Sequence, residues 1–359
     1  MPKSDDFEVL SQQPFNGQPP LERLALEPIT PVERFYVRNH APVPKIEERD
    51  YRLEVGGMIE RPLRLTLADL KDNFGEAEST VTLQCAGNRR SEMHRARPLP
   101  AEEILWSASA VGNAVWRGAL LSEVLATAGC LDGPRHVDFL GLDRIERDGV
   151  SFGFGGSIPL NKALSGDVLL AWDMNGEPLA PEHGAPLRVV VPGYIGARSV
   201  KWLAHVVVRY DPSENYYQRK AYRHFAPHVT PETVAHAEGI ELGELSVNSA
   251  IMTPGDGAEL PVGAIELRGY ATAGGERTVE RVEVSADNGS NWIVADLERA
   301  PVGVWRFWNA TVELDQGPHE LVCRAWDSAA NTQPENPADV WNFRGYMHHA
   351  WHRARVWVR

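Results

Sequence analysis

The densest chemistry in the sequence is one short stretch, Leu83-Gln84-Cys85-Ala86-Gly87-Asn88-Arg89-Arg90-Ser91-Glu92-Met93. A strand-like run ends at a cysteine and enters a Gly-Asn turn that carries two arginines. Arginines beside a thiol favour the thiolate by Coulomb attraction. A thiolate there has two uses, as a nucleophile or as a soft metal ligand. The same pattern also fits a cysteine that fills the core at the end of a strand.

Basic residues recur in loop-like segments of the same half of the chain. Arg38 and His40 sit in Phe35-Tyr36-Val37-Arg38-Asn39-His40, followed by Pro42 and Pro44. His183, Arg188, Arg198 and Lys201 sit in EHGAPLRVVVPGYIGARSVKW. A single arginine is usually a solvated surface charge. Clustering in one half of a chain whose net charge is -13 suggests an internal anion site.

Composition narrows the partners. The 359 residues hold 36 Lys plus Arg against 49 Asp plus Glu, which disfavours nucleic acid and anionic membranes and favours a basic protein partner. No apolar run approaches the roughly 18 residues that a membrane-spanning helix needs. Cys85, Cys130 and Cys323 lie far apart and form no Cys-x-x-Cys, no haem-attachment motif and no zinc spacing. Gly153, Gly155 and Gly156 fail the dinucleotide pattern, and neither a phosphate loop nor a Gly-x-Ser-x-Gly elbow occurs. His348, His349 and His352 resemble a metal cluster, but a loop beside the last strand is the simpler reading.

The elements that must position these residues can be read in outline. Prolines at 14, 19, 20, 28 and 31 suggest an irregular arm at the N-terminus. That arm has no secretory signal and no twin-arginine pair, so the chain as it stands reads as cytoplasmic, or periplasmic if an export leader was removed. A strand is expected at 51–57, and Thr66 with Asp69 predicts a capping box opening a short helix. Residues 79–85 alternate, with Val81, Leu83 and Cys85 on one face, as in a half-buried strand. Leu121, Val124, Leu125 and Ala128 recur at helical spacing before Gly129, predicting a helix over 119–128. Strand-like runs follow at HVDFLGLD, VLLAWDM, PLRVVVPG and LAHVVVRY, with a hairpin signal at Asn175-Gly176. Residues 211–260 read as loop-rich. From about 262 the pattern is all strand, which predicts a β-sandwich of about seven strands. The expected units are an α+β domain over 1–235 and a sandwich domain over 236–359.

Several of these segments together resemble the sulfite oxidase family of molybdopterin enzymes. They are FYVRNHAPVP (35–44), TLQCAGNRRSEM (82–93), GLD (141–143), GGSIPL (155–160), MNGEPL (174–179), HGAPLRVVVPGYIGARSVKWL (183–203) and WNFRGYMHHAWHRARV (341–356). The resemblance covers nearly the whole chain. It implies a β-rich α+β molybdopterin-binding domain followed by an immunoglobulin-like dimerisation sandwich, and hence a homodimer. Eight of the eleven tryptophans lie after residue 200, in keeping with an aromatic interface there.

Carried over by motif, Cys85 is the thiolate ligand of molybdenum. Arg38, Arg90, Trp106, Tyr222 and Arg344 match residues lining an oxyanion pocket. Asn39, His40, Asp143, Ser157, His183, Arg188, Arg198 and Lys201 match contacts of the pterin and its phosphate. Around Tyr222 the match is looser, because the family more often has Asp where Ala221 stands. The implied activity is oxidation of sulfite to sulfate at a molybdenum–molybdopterin centre, with electrons passed to an external acceptor such as a c-type cytochrome or oxygen. No haem is expected in this chain. A nitrate-reducing relative shares the cysteine and pterin loops, and Arg344 argues against it. A cysteine hydrolase using Cys85 and an adhesion scaffold built on the sandwich are readings of other classes, and both predict no metal.

Overall fold

The computed structural model describes residues 2–234 and 239–359. The domain boundary expected at 235/236 lies outside the described residues.

The first half of the chain builds two sheets, with a main apolar core between them and a second cluster around Leu83, Cys85 and Trp116. One runs, in spatial order, Gly155–Pro159, His136–Gly141, Leu203–Arg209, Leu53–Gly57, Leu63–Leu65, with a single parallel pairing between Leu203–Arg209 and Leu53–Gly57. The other runs Glu177–Pro178, Leu169–Met174, Val111–Leu120, Glu76–Gln84, and Arg188–Val190 also pairs with Leu169–Met174. The core between the elements includes Leu53, Leu70, Leu121, Val124, Phe139, Leu170, Val189 and Val206.

Local signals in the sequence correspond to these elements. Thr66 caps the helix Leu67–Asn73, and its capping box with Asp69 is complete. The helix Leu121–Ala128 buries its four periodic residues, and Gly129 ends it at φ 73. Asn175 and Gly176 both take positive φ, 54 and 83, as the tight turn into Glu177–Pro178 requires.

The strand ahead of the cysteine departs from expectation. It spans Glu76–Gln84 and is buried on both faces at its C-terminal end, not half-buried. Thr82 and Gln84, on the face that alternation would leave wet, are covered by the second half of the chain. Thr82 bonds Gly303 and Trp305, and Gln84 Oε1 accepts from Thr272 Oγ1.

The second half is a two-layer sandwich. Its sheets are Asn248–Thr253, Gly263–Thr272, Arg306–Leu314, Asp296–Leu297 and Glu259–Leu260, His352–Val358, Gly317–Asp327, Val279–Ser285, Ile293–Val294. Ile251, Leu267, Val282, Trp308, Leu321 and Val356 fill the space between them. Nine strands are thus present among the described residues, against about seven expected. The run WIVADLE does not form one strand; it breaks at Ala295, and its two halves join opposite sheets. Asn248–Thr253 falls in the stretch read as loop. It is buried nearly throughout, so no polar alternation marks it. The proline-rich arm also holds more order than expected, pairing Glu8–Gln12 with Phe15–Gln18 as a hairpin.

Candidate active site

Cys85 follows the last residue of the strand Glu76–Gln84, and its backbone N–H donates to Ala110 O at 2.9 Å. The thiol is buried, and Sγ accepts from Gly87 N at 3.4 Å. It lies on the wall of a cavity lined by polar and aromatic side chains from several distant segments. Arg38, Asn39, His40, Asp143, His183, Arg188, Lys201 and Tyr222 line the same cavity. Nine of the sequence-expected residues therefore meet around one space.

Arg38, Asn39 and His40 are held there by the N-terminal hairpin. Asn16 Oδ1 accepts from Asn39 N at 2.7 Å and from Arg38 Nη1 at 3.2 Å. Asn39 Nδ2 donates to Phe15 O at 2.9 Å. His183, Arg188 and Lys201 come from the loop system around Arg188–Val190. Arg188 donates to His183 O at 2.8 Å and Ser199 O at 3.0 Å, and lies 4.9 Å from the centre of the Trp116 ring. Lys201 Nζ donates to Asn39 Oδ1 and to Glu182 O.

The electrostatics are those of an anion site. Burial, then Arg188, pushes the Lys201 ammonium well below its ordinary range, against the opposing pull of Asp143. Burial lowers Arg188 to about 10. Burial, with Arg38, Lys201 and Arg90 behind it, holds His40 neutral, and burial with Lys3, Lys201 and Arg188 does the same for His183. Several basic groups thus face one another around a buried space, an arrangement that an anionic ligand relieves.

These residues fit a molybdenum–pterin group. A soft sulfur stands in the wall, as a molybdenum ligand must. Arg188, Lys201, Arg38 and the two histidines supply the donors a phosphate needs. Asp143 accepts from Phe154 N at 2.8 Å through Oδ1, while its buried Oδ2 has no partner and is an acceptor for a heterocycle's N–H.

The remaining expected residues lie off that wall. Arg90 is buried behind it and donates to Ile104 O at 2.9 Å and Gly345 O at 3.2 Å. Glycines make its path possible, since a Cβ on Gly87 would stand 2.9 Å from the Arg90 guanidinium and one on Gly345 would stand 2.6 Å from its Cγ. Arg344 reaches towards it from the sandwich half, and both approach Glu103, at 3.2 Å from Arg90 and 3.7 Å from Arg344. Trp106 is fully buried, edge-on to Tyr36, and its Nε1 has no partner. Ser157 does not open to the cavity. Its hydroxyl accepts from Ser213 N and Gln218 Nε2, both at 2.9 Å. Arg198 points to the inter-domain side, where Nη2 donates to Leu242 O at 2.6 Å. Arg89, the other arginine of the cysteine loop, also turns away, to Glu92 and Asn248.

Three contributors escaped the sequence reading. Tyr346 stacks on Tyr222 at 5.0 Å between ring centres and carries Arg90 on its face at 4.9 Å. Burial and Glu103 push its hydroxyl up to about 12, against the opposite pull of Arg90, Arg38 and Arg344. Arg90 therefore sits on one tyrosine, and the charges of Arg38 and Arg344 act on it as well. It lies two positions after Arg344, so the WNFRGY motif held the signal. Lys3 donates to Val32 O at 2.8 Å, Phe35 O at 3.0 Å and the His183 Nε2 at 3.0 Å. Nothing local in the sequence marks it. Glu103 is the third.

His348, His349 and His352 do not form a metal centre. No group of three potential ligands is present among the described residues. His348 and His352 face Glu92 at 3.5 and 3.9 Å.

A cysteine at a buried cationic cavity, in a β-rich domain joined to a sandwich, fits a pterin-dependent oxidoreductase. Residues 40–217 match the family model described as oxidoreductase molybdopterin binding domain, and residues 240–359 match the Mo-co oxidoreductase dimerisation domain. The chain is 46% identical to sulfite oxidase of Gallus gallus over 98% of its own length and 78% of that protein. It is 38% identical to sulfite oxidase of Arabidopsis thaliana over 98% and 94% of the two chains. It is 40% identical to nitrate reductase [NAD(P)H] of Hordeum vulgare over 97% of its own length and 41% of that protein. The sulfane dehydrogenase SoxCD from Paracoccus pantotrophus superposes with a TM-score of 0.82 at 26% identity, over 96% of this chain and 85% of that one. The chain belongs to the sulfite oxidase family of molybdopterin-dependent oxidoreductases.

Proposed function

We propose that this protein oxidises sulfite to sulfate and passes the electrons to an external acceptor, a c-type cytochrome or oxygen. The observation that carries the reading is Cys85 on the wall of a cavity shared with Arg38, Arg188, Lys201 and Tyr222. When bound, the molybdenum–pterin group supplies the oxygen atom and takes up two electrons. The chain binds and orients the anion and controls water and protons around it. Arg38 offers a fixed positive charge at the cavity, with Arg90 on the face of the Tyr346 ring that stacks on Tyr222 and Arg344 joined to Arg90 through Glu103. Tyr222 Oη lies 2.9 Å from His40 Nε2, and burial raises its pKa well above the ordinary phenol range. Its proton therefore stays on Oη, and with His40 in the tautomer that donates from Nε2 that proton is free to hydrogen-bond an anion's oxygen. Phe154 and Tyr217 pack against His40 at 4.5 and 4.3 Å between ring centres and help to exclude water. The acidic chain suits a basic cytochrome as acceptor, and the dimerisation sandwich supports a homodimer.

Likeness to the barley nitrate reductase favours a second reading, nitrate reduction at the same cysteine. Steady-state assays of the metal-loaded protein with sulfite and with nitrate, alongside molybdenum analysis, separate the two. Sulfite turnover with negligible nitrate turnover is expected. The reverse overturns the first reading, and a metal-free, pterin-free protein overturns both.

A further inference from the structure

Arg90 stands over the Tyr346 ring at 4.9 Å, and one carboxylate, Glu103, stands between Arg90 and Arg344. Glu103 lies just ahead of Trp106, after the turn that begins at Pro100. Its Oε2 is 3.2 Å from Arg90 Nη1 and its Oε1 is 3.7 Å from Arg344 Nη1. The side chains are 12% exposed for Glu103, 4% for Arg90 and 21% for Arg344, so the three charges meet in a mostly dry place. Arg90 is fixed by two further carbonyls and the Tyr346 ring. Arg344 is held more loosely, and its buried Nε has no hydrogen-bond partner. Glu103 is thus the shared counter-ion of one rigid and one loose arginine that come from different halves of the chain.

The charge balance gives that position a consequence. Arg90 and Arg344 carry two positive charges, and Glu103 offsets one. An oxyanion held by this pair meets one net positive charge instead of two. With the carboxylate neutralised, the same cluster would hold such an anion more tightly, including a dianionic product that has to leave. Uniformly tighter binding lowers KM without speeding the chemical step.

We propose that Glu103 is a positioning residue of the anion site that orients Arg90 and Arg344 and limits the site's affinity for dianions. The proposal rests on the reading that these arginines serve an oxyanion. It differs from the arginines' own role in the sign of its effect: removing its charge tightens anion binding, whereas removing an arginine weakens it.

The test uses the metal-loaded protein and its E103Q, E103D and E103A variants. Equilibrium binding of sulfate and of inorganic phosphate is measured by titration calorimetry, without turnover, and sulfite KM and kcat are measured separately. E103Q, of nearly the same shape, is expected to bind both anions roughly 10-fold more tightly, as a like charge removed from a half-dry pocket should produce. Its sulfite KM falls, kcat does not rise, and sulfate inhibition strengthens. E103D restores the charge and moves these values back towards wild type. E103A also binds sulfate more tightly, though less than E103Q, because Arg344 loses its anchor. A purely structural role would raise KM in E103Q and leave E103D no better. If E103Q binds sulfate and phosphate no more tightly than wild type, the proposal is overturned, whatever the sulfite kinetics show. If the variant tightens anion binding but sulfite is not turned over, Glu103 keeps its role and the sulfite reading fails.

Discussion

Arg89 Nη1 donates to Asn248 Oδ1 at 2.7 Å, so the turn that follows Cys85 is bonded directly to the first long strand of the sandwich. The same guanidinium makes a two-point pair with Glu92, at 2.9 and 2.6 Å. Burial pushes the Glu92 carboxyl up, but Arg89 and His352 hold it well below the ordinary carboxylate range. Removing one partner of such a buried pair strands the other charge, at a cost of about 3–5 kcal/mol. Arg89→Met is therefore expected to lower stability by about that much in urea unfolding. Arg89→Lys, which keeps the charge but loses the fork, should fall between it and wild type. A loss under about 1 kcal/mol, the size of an exposed ion pair, would show that the junction is wet.

The histidines of this junction and of the cavity give stability a defined pH dependence. Burial lowers His352 to about 4, only partly opposed by Glu92, and lowers His348 as well. His40 and His183 are lowered further still, also by burial. A lowered histidine pKa means that below about 6.5 the unfolded chain takes up protons that the folded chain refuses. Stability is therefore full above about pH 6.5 and is lost as pH falls towards 4. The urea midpoint should drop steadily across that window, and His352→Asn should flatten the slope. Asn is chosen because its Oδ1 can replace His352 Nδ1 as the acceptor for Ile251 N, a bond of 3.2 Å. An unchanged slope in that variant would remove His352 from the account.

Much of the fold and half of the site were legible because local signals and side-chain chemistry agreed. The Thr66–Asp69 box, the helix before Gly129 and the Asn175-Gly176 turn each depend on neighbours in sequence, and each is present. The residues at the cavity wall were readable by motif. What stayed hidden depends on contacts between distant segments. Asn248–Thr253 lacks alternation because both its faces are covered, and Glu76–Gln84 loses its wet face to Trp305 and Gly303. Lys3 and Glu103 act on partners far along the chain. The tryptophan argument for an interface was weaker than composition suggested. Trp305, Trp308 and Trp341 are buried within the chain, and Trp357, at 52%, is the tryptophan exposed among the described residues.

Cys85→Ser tests the proposed metal ligand. The hydroxyl is nearly the size of the thiol, the site is buried, and the backbone bond to Ala110 is untouched, so the thermal midpoint should shift by no more than a few degrees. Turnover should be lost, because a hard oxygen replaces a soft sulfur. Molybdenum analysis and absorbance of the purified variant check the same point without activity, since the sulfur-to-metal absorption should change. A Ser variant that oxidises sulfite like wild type would sink the assignment.

Arg344→Met separates sulfite from nitrate chemistry. Arg344 enters from the sandwich half, shares Glu103 with Arg90 and acts on the Tyr346 hydroxyl together with Arg90 and Arg38. Met keeps much of the apolar stem and removes the charge. One charge-assisted hydrogen bond is worth about 1.5–3 kcal/mol, or roughly 10- to 150-fold in kcat/KM. A loss of sulfite kcat/KM in that range is expected, mostly through a raised KM, because the lost charge acts on the bound anion before and during reaction alike. Sulfate and phosphate inhibition should weaken in parallel. The loss should sit towards the lower end of the range, because Arg344 is not among the residues lining the cavity and part of its charge is offset by Glu103. Arg38→Met should cost more, since Arg38 lines the cavity itself. If Arg344→Met leaves sulfite KM and sulfate inhibition unchanged, Arg344 has no hold on the anion, and the main residue-level argument against nitrate reduction goes with it.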